Sequence, residues 1–291
     1  MNKTHVWLIV AGAMLVLGIG LAGGAFLMGG TVPHGFYIDR TGAHIDSDNQ
    51  VKSVPIGEIA NIEIETTSAD IEFIESSRNE VEYSLTHDEN QVLVDGDTLR
   101  IKENSGFRIS FLTFRKGSYI KVYYKNDGKN IRVNSASGQI SLDGITAKEL
   151  NLQTVSGDIK IKKVSADAVQ LKTTSGDIKA QTVASTKAYA TSVSGDMSFE
   201  NAVLDGIHAK TTSGEIELRG KISGDIIAES VSGDVAIETA LAKEKFSYSV
   251  KSVSGDARID RESFSGTVKN STDNSIDIKT TSGDIEIGFN S

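Results

Sequence analysis

The sequence predicts an all-β protein: a single-chain parallel β-solenoid of about 19 residues per coil, with an N-terminal β-meander cap, preceded by one transmembrane helix. Three observations predict it. A Ser-Gly-[Asp/Glu/Gln]-apolar motif opens at Ser137, Ser156, Ser175, Ser194, Ser213 and Ser232, a constant step of 19 residues, and returns at wider steps at Ser254 and Ser282. Apolar and polar residues alternate on both sides of each motif, the period of a strand with one buried face. An uncharged apolar run of 23 residues, Val6 to Met28, stands near the N-terminus.

The segments follow in order. Residues 1–5 carry Lys3 and the α-amino group ahead of the apolar run, so the positive-inside rule predicts a cytoplasmic N-terminus and everything beyond about Gly30 outside. Residues 6–28 are long enough as a helix to cross a hydrocarbon core of roughly 30 Å. The rival reading is a cleaved signal peptide, for which Gly23-Gly24-Ala25 supplies small residues. Residues 29–50 read as a polar tether. Residues 51–130 read as a degenerate first coil followed by a cap: Thr66-Thr67-Ser68-Ala69-Asp70-Ile71 resembles the later motif with Ala for Gly. The segments Glu80–Thr86, Gln91–Val94, Thr98–Lys102, Phe107–Phe114 and Tyr119–Tyr124 read as an antiparallel meander, with Asp95-Gly96-Asp97 as a hairpin turn. Residues 131–291 are the solenoid.

Within the repeats, one inward column is Ile140, Ile159, Ile178, Met197, Ile216, Val235, Ala257 and Ile285. A second lies two residues on, from Leu142 and Ile161 to Ile287, and a third precedes the motif at Leu152, Leu171, Ala190, Ala209, Ala228 and Val250. These columns predict two short strands per coil. Two residues before each motif serine stands a hydroxyl, as at Ser135, Thr154, Thr173, Ser192 and Thr211, read as scaffold that bonds along the column or to the turn backbone. The motif glycine suits a bend with φ > 0, and the acid after it suits an Asx-type turn.

Composition narrows function. Cysteine is absent, which excludes disulfides, thiolate metal sites and a cysteine nucleophile. The net charge of −9 comes without a basic face, so nucleic acid is not an expected partner. The acidic column Asp158, Asp177, Asp196, Glu215, Asp234, Asp256 and Asp284 reads as turn chemistry; its alternative is Ca²⁺ bridging successive coils. No catalytic, metal or cofactor residue is assigned. His5, His34, His44, His87 and His208 lack metal-ligand spacing, and Lys160, Lys162, Lys163, Lys172 and Lys179 read as solvated strand faces. The aromatic stretch from Phe107 to Lys116 is either the cap's own core or a hairpin tip that meets a membrane or a partner.

One apolar helix followed by Thr-x-Ser-Gly-Asp-Ile repeats resembles the LiaG-like family of bacterial envelope proteins, a β-repeat domain of unknown function that carries an adhesin label. The resemblance covers roughly residues 55–291. It implies an exported repeat protein tied in several members to envelope stress, and it brings no catalytic residues. The expectation is therefore a single-pass, extracytoplasmic, non-enzymatic binding or scaffold module with an unidentified envelope protein or polysaccharide as partner. The alternatives are a carbohydrate-active β-helix enzyme and a calcium-binding β-roll.

Overall fold

The computed structural model describes residues 36–39, 42–45, 51–85, 91–103, 109–111, 117–125 and 128–289. The expected transmembrane segment lies outside them, and among the described residues no helix is long and apolar enough to cross a membrane. The chain divides into two units. The smaller contains a three-stranded antiparallel sheet, in which Phe36–Asp39 pairs with Gly42–Ile45 on one side and Ile109–Phe111 on the other. The stretch expected to be a tether therefore holds a hairpin, and the aromatic strand expected in the meander pairs with that hairpin instead.

In the larger unit the chain winds into coils joined by parallel pairing. Segments after the motif stack as Ile159 on Ile178, Ile178 on Met197 and Met197 on Ile216, and segments before it as Leu152 on Leu171 and Leu171 on Ala190. The expected inward columns are buried, apart from Ala257 in the outermost layer, which is half-buried. Volume is balanced along a column: the fully buried Phe199 sits in register with the small Ala180 on one side and Leu218 on the other.

Each regular coil has three faces, not two. Pairing skips Lys163, resumes at Val164 on Val183, skips Asp167, and resumes at Ala168 on Lys187. Lys163, Thr182 and Asn201 lie one above another with φ of 51°, 57° and 51°, and Gly144 holds the equivalent place with φ of 73°. A single left-handed residue turns the chain, so that buried Val164 and Ala166 form a short third face. The consecutive polar pair Lys162-Lys163 is the trace of that corner in the sequence, because it breaks the period-2 alternation.

The motif corner is the structural edge. Gly138, Gly157, Gly176, Gly195 and Gly214 lie outside the left-handed region, so a positive φ is not why they are glycine. A Cβ on Gly176 would stand under 3.0 Å from the carbonyl oxygen of Gly157, and one on Gly195 equally close to that of Gly176. The coils approach so closely here that only hydrogen fits. Buried hydroxyls tie some of the turns to their neighbours: Thr173 Oγ1 accepts the Gly176 N–H at 3.1 Å and donates to the Gly157 carbonyl at 3.1 Å, whereas Ser192 Oγ and Thr211 Oγ1 in the same column have no hydrogen-bond partner among the described residues. The acids do the same between coils, not within a local Asx turn. Asp158 Oδ1 accepts the Asp177 N–H at 3.1 Å, Asp177 that of Asp196 at 3.2 Å, and Asp196 that of Glu215 at 2.9 Å. Burial alone would raise the pKa of Asp158, but the Asp177 amide and the Lys160 ammonium outweigh it and hold the carboxyl below its ordinary range.

Both ends depart from the simple winding. Asn61–Thr66 and Asp70–Glu75 form the first coil, in register with 130–135 and 140–143. Two segments expected in an antiparallel meander extend the solenoid one layer further: Thr98–Lys102 and Tyr119–Tyr124 run parallel to that first coil. In the sequence three residues separate Thr66 from Asp70, whereas fifteen separate Glu103 from Tyr119. With no motif there, the buried Glu103 carboxylate accepts the N–H groups of Thr67 at 2.8 Å and Ser68 at 3.1 Å. The expected hairpin turn at Gly96 joins antiparallel Gln91–Asp95 and Thr98–Lys102. Lys52–Pro55 and Glu80–Ser84 close the other face antiparallel.

At the C-terminal end the layers are out of sequence order. Asn274–Ser282 lies between the strand containing Ala228 and the strand Phe246–Ser254. Accordingly Asp284 donates its N–H to Asp234 Oδ1 at 2.7 Å, and Asp256 donates to Asp284 at 2.8 Å. The chain skips a layer after Thr239, lays down the outermost one, and returns to fill the gap. Glu262–Ser263 and Gly266–Val268 cover that outermost layer antiparallel, beneath a cluster of Phe246, Tyr248, Phe264 and Phe289.

Face parity predicts that Ile178→Asp destabilises the chain by about 4 kcal/mol or more through a buried unpaired charge, while Lys179→Asp stays within about 1 kcal/mol. Urea unfolding of both variants tests it. Gly176→Ala should cost about 3 kcal/mol by forcing the coils apart, although alanine tolerates the backbone angles. A depressed carboxyl stabilises the fold above its unfolded pKa and ceases to do so as acid protonates the folded form. Urea midpoints should therefore fall below about pH 4, and Asp158→Asn, which keeps an acceptor for the Asp177 amide, should flatten that fall.

Candidate functional site: an amide-lined groove on one sheet face

The face built from the segments before each motif carries a central outward column whose chemistry changes along the solenoid axis. Its N-terminal part is charged, with Arg100 donating to Glu63 at 3.1 Å and Arg132 in the next layer. Asn151 and Gln170 follow, then Tyr189 and His208, whose rings lie 6.5 Å apart between centroids. Further on, the face turns to ion pairs, Lys210 with Glu229 at 3.0 Å and Lys279 with Asp277 at 2.8 Å. The hydrogen bond from Lys210 holds the Glu229 carboxyl below its ordinary range.

A shallow groove of about 490 Å³ follows this column from Glu63 to Tyr189. Its floor is the sheet itself, including Ile131, Leu150 and Val169, whose side chains turn inward. Its polar groups are largely amides, oriented by one another: Asn130 Nδ2 donates to Asn61 Oδ1 at 2.9 Å, Asn151 Nδ2 to Gln170 Oε1 at 3.3 Å, and Gln153 Nε2 to Asn151 Oδ1 at 3.1 Å. Asn151 keeps a second N–H, and the Gln170 nitrogen donates to no other described side chain. Tyr189 closes one end with half its surface exposed. Arg132 is exposed and makes no ion pair among the described residues. This arrangement suits recognition of a polar ligand that lies along the axis and offers one flat apolar patch to the tyrosine ring.

The other residues singled out from sequence distribute differently. The acidic column stands on the motif edge, with ladder oxygens engaged by backbone amides, and no group of three or more His, Asp or Glu converges among the described residues. Lys160 and Lys179 lie on the face after the motif, paired with Asp158 at 3.3 Å and Asp177 at 3.2 Å. Lys162 shares that face, Lys163 is the left-handed corner, and Lys172 is on the groove-bearing face, so Lys160, Lys162, Lys163 and Lys179 lie around one hollow and Lys172 stands apart. That hollow, of about 690 Å³, is also bordered by Glu72, Glu75 and Asp143. The extra triplet Ser223-Gly224-Asp225 occupies a different corner, where the Gly224 N–H donates to Asn274 of the back-filled strand at 2.8 Å. His44 pairs through its backbone with Tyr37, while His5, His34, His87, Phe107, Arg108 and residues 112–116 lie outside the described residues. Sequence reasoning missed Asn151, Gln170 and Tyr189. Their signal was an outward column, five residues before each motif serine, whose residue types change from coil to coil.

No curated protein matches the chain significantly. Among solved structures, a "putative adhesin" from Bacteroides fragilis matches with 15% identity and a TM-score of 0.50, over 82% of this chain and 96% of that one. A "putative cell adhesion protein" from Clostridium sporogenes matches at 12% identity and a TM-score of 0.28, over 82% of this chain and 97% of that one. The first of these likenesses is one of fold. The repeats, the stacked coils and a match of residues 59–288 to the family's model agree: the chain belongs to the Toastrack DUF4097 family.

Proposed function

We propose that this protein is a membrane-anchored, extracytoplasmic binding module of the bacterial cell envelope that acts without chemistry of its own. The single observation that carries the binding role is the groove: a sheet face that presents the paired amides of Asn151 and Gln170, an exposed tyrosine and an exposed arginine that makes no ion pair among the described residues. Exposed hydrogen-bonding groups held by a rigid scaffold are preorganised, so little ordering entropy is lost when a ligand replaces water. The uncharged Val6–Met28 run behind Lys3 supports the anchor and its orientation. The resemblance to LiaG-like proteins supports service in an envelope-stress response, and the fold shared with a protein described as an adhesin agrees with surface binding.

Protease added to wall-stripped cells should digest the solenoid and spare an N-terminal fragment; protection of everything after Gly30 would reverse the orientation. A photoreactive amino acid replacing Gln170 in the full chain should yield crosslinked adducts on intact cells, whereas the same group replacing Lys179 on another face should not. Equal labelling at both positions, or none at either, would remove the groove from the function.

A further inference from the structure

We infer that the groove binds an extended β-1,4-linked N-acetylhexosamine glycan strand lying along the solenoid axis, an inference that rests on the binding role proposed above. The first argument is shape. The groove crosses the successive strands that carry Glu63, Arg132, Asn151, Gln170 and Tyr189, four steps at about 4.8 Å, so it runs for roughly 19 Å at right angles to the strands. A straight open channel of that length takes several linked sugars and holds no enclosed pocket for a compact small molecule.

Charge is the second argument. Glu63 is neutralised by Arg100 at 3.1 Å, and the remaining Glu149 and Arg132 oppose each other in sign, so the groove offers no excess of cations for a polyanion. Its recognition groups are instead neutral amides with open donors, which match sugar hydroxyl and acetamido groups, because an amide can donate and accept side by side. The third argument is Tyr189. A half-exposed ring at the end of a row of amides gives the C–H face of a pyranose an apolar surface, while neighbouring hydroxyls reach Gln170 and Asn151. An extended peptide, the other occupant of such length, would satisfy its backbone best by adding to a strand edge. The groove floor is sheet interior, whose backbone groups are already paired with the adjoining layers.

The probe is the β-1,4-linked hexamer of N-acetylglucosamine, titrated calorimetrically into the full chain purified in detergent, with the unacetylated glucose hexamer as comparator. The N-acetylated hexamer should bind, and the comparator should bind several-fold more weakly for want of the acetamido contacts. Tyr189→Ala should weaken binding about tenfold and Gln170→Ala about three- to tenfold, while Lys179→Ala on another face leaves it unchanged. Circular dichroism of each variant checks that the coils remain. No binding of either hexamer, or equal affinity in Tyr189→Ala, would overturn the glycan assignment. Shortening of the hexamer during the titration would overturn the non-enzymatic reading instead. If the group at Gln170 crosslinks a protein on cells while the hexamer fails to bind, the binding role stands and the glycan falls.

Discussion

The constraint on which the rest of the structure depends is the approach of backbone to backbone at the motif corner. Each motif glycine lies against the carbonyl of its counterpart in the adjoining coil, in the spatial order Ala69, Gly138, Gly157, Gly176, Gly195, Gly214, Gly233, Gly283 and Gly255. Nothing larger than hydrogen fits between these layers, so the contact fixes the vertical spacing at one edge. Thr154 and Thr173 bond the glycine N–H of their own turn and the glycine carbonyl of the layer before, and Asp158, Asp177 and Asp196 accept the next layer's amides. Three residue types at a fixed offset thus satisfy the backbone groups that a sharp bend would otherwise leave unpaired in a partly buried edge. Asp158, Asp177 and Asp196 can line up because each faces an amide donor rather than only its like-charged neighbour.

Where that corner chemistry is absent, the chain substitutes for it. Glu103 stands where the layer before the first coil would have had its motif, and its carboxylate bonds the amides of Thr67 and Ser68. At the other end the motif steps lengthen to 22 and 28 residues because sequence order and stacking order part company. A solenoid that stopped after simple winding would present open strand edges, which invite pairing with another chain. By placing Phe246–Ser254 outermost, folding a short antiparallel cover over it and returning to fill the vacant layer, the chain leaves short strands over the outermost layer of the stack. The last strands laid down are then held on both sides.

The repeat and its inward columns were legible in the sequence because burial acts on each coil alike: Ile159, Ile178 and Ile216 face the same interior. The corner at Lys163 was not, since a left-handed conformation at a lysine, a threonine or an asparagine leaves no residue-type mark, only a slip in parity. The expectation that the motif glycines serve a positive φ holds at Gly233, Gly255 and Gly283, with φ of 153°, 145° and 148°, whereas Gly138, Gly157, Gly176, Gly195 and Gly214 are glycine because of the adjoining layer, which a residue's own torsions do not reveal. The back-filled layer was visible only as a lengthened period; which strand lies between which is a tertiary matter. For the pairing of Phe36–Ile38 with Ile109–Phe111, two segments far apart in the chain, no local pattern points to the partner. The groove residues Asn151, Gln170 and Tyr189 differ from coil to coil, so no repeat marks them.

In each regular coil the inward residues, the corner residues and the motif are held by stacking, while an outward residue such as Gln170 or Tyr189 contributes little to stability and is free to differ from one layer to the next. The central column accordingly passes from arginine through amides to aromatic rings and then to isoleucine and aspartate, although the strands beneath it remain in one register. A ligand lying along the axis meets one side chain of each layer in turn, so its specificity is written across coils and not within any of them. Selectivity can then change by single outward substitutions without disturbing the carbonyl-to-glycine contact that keeps the layers together.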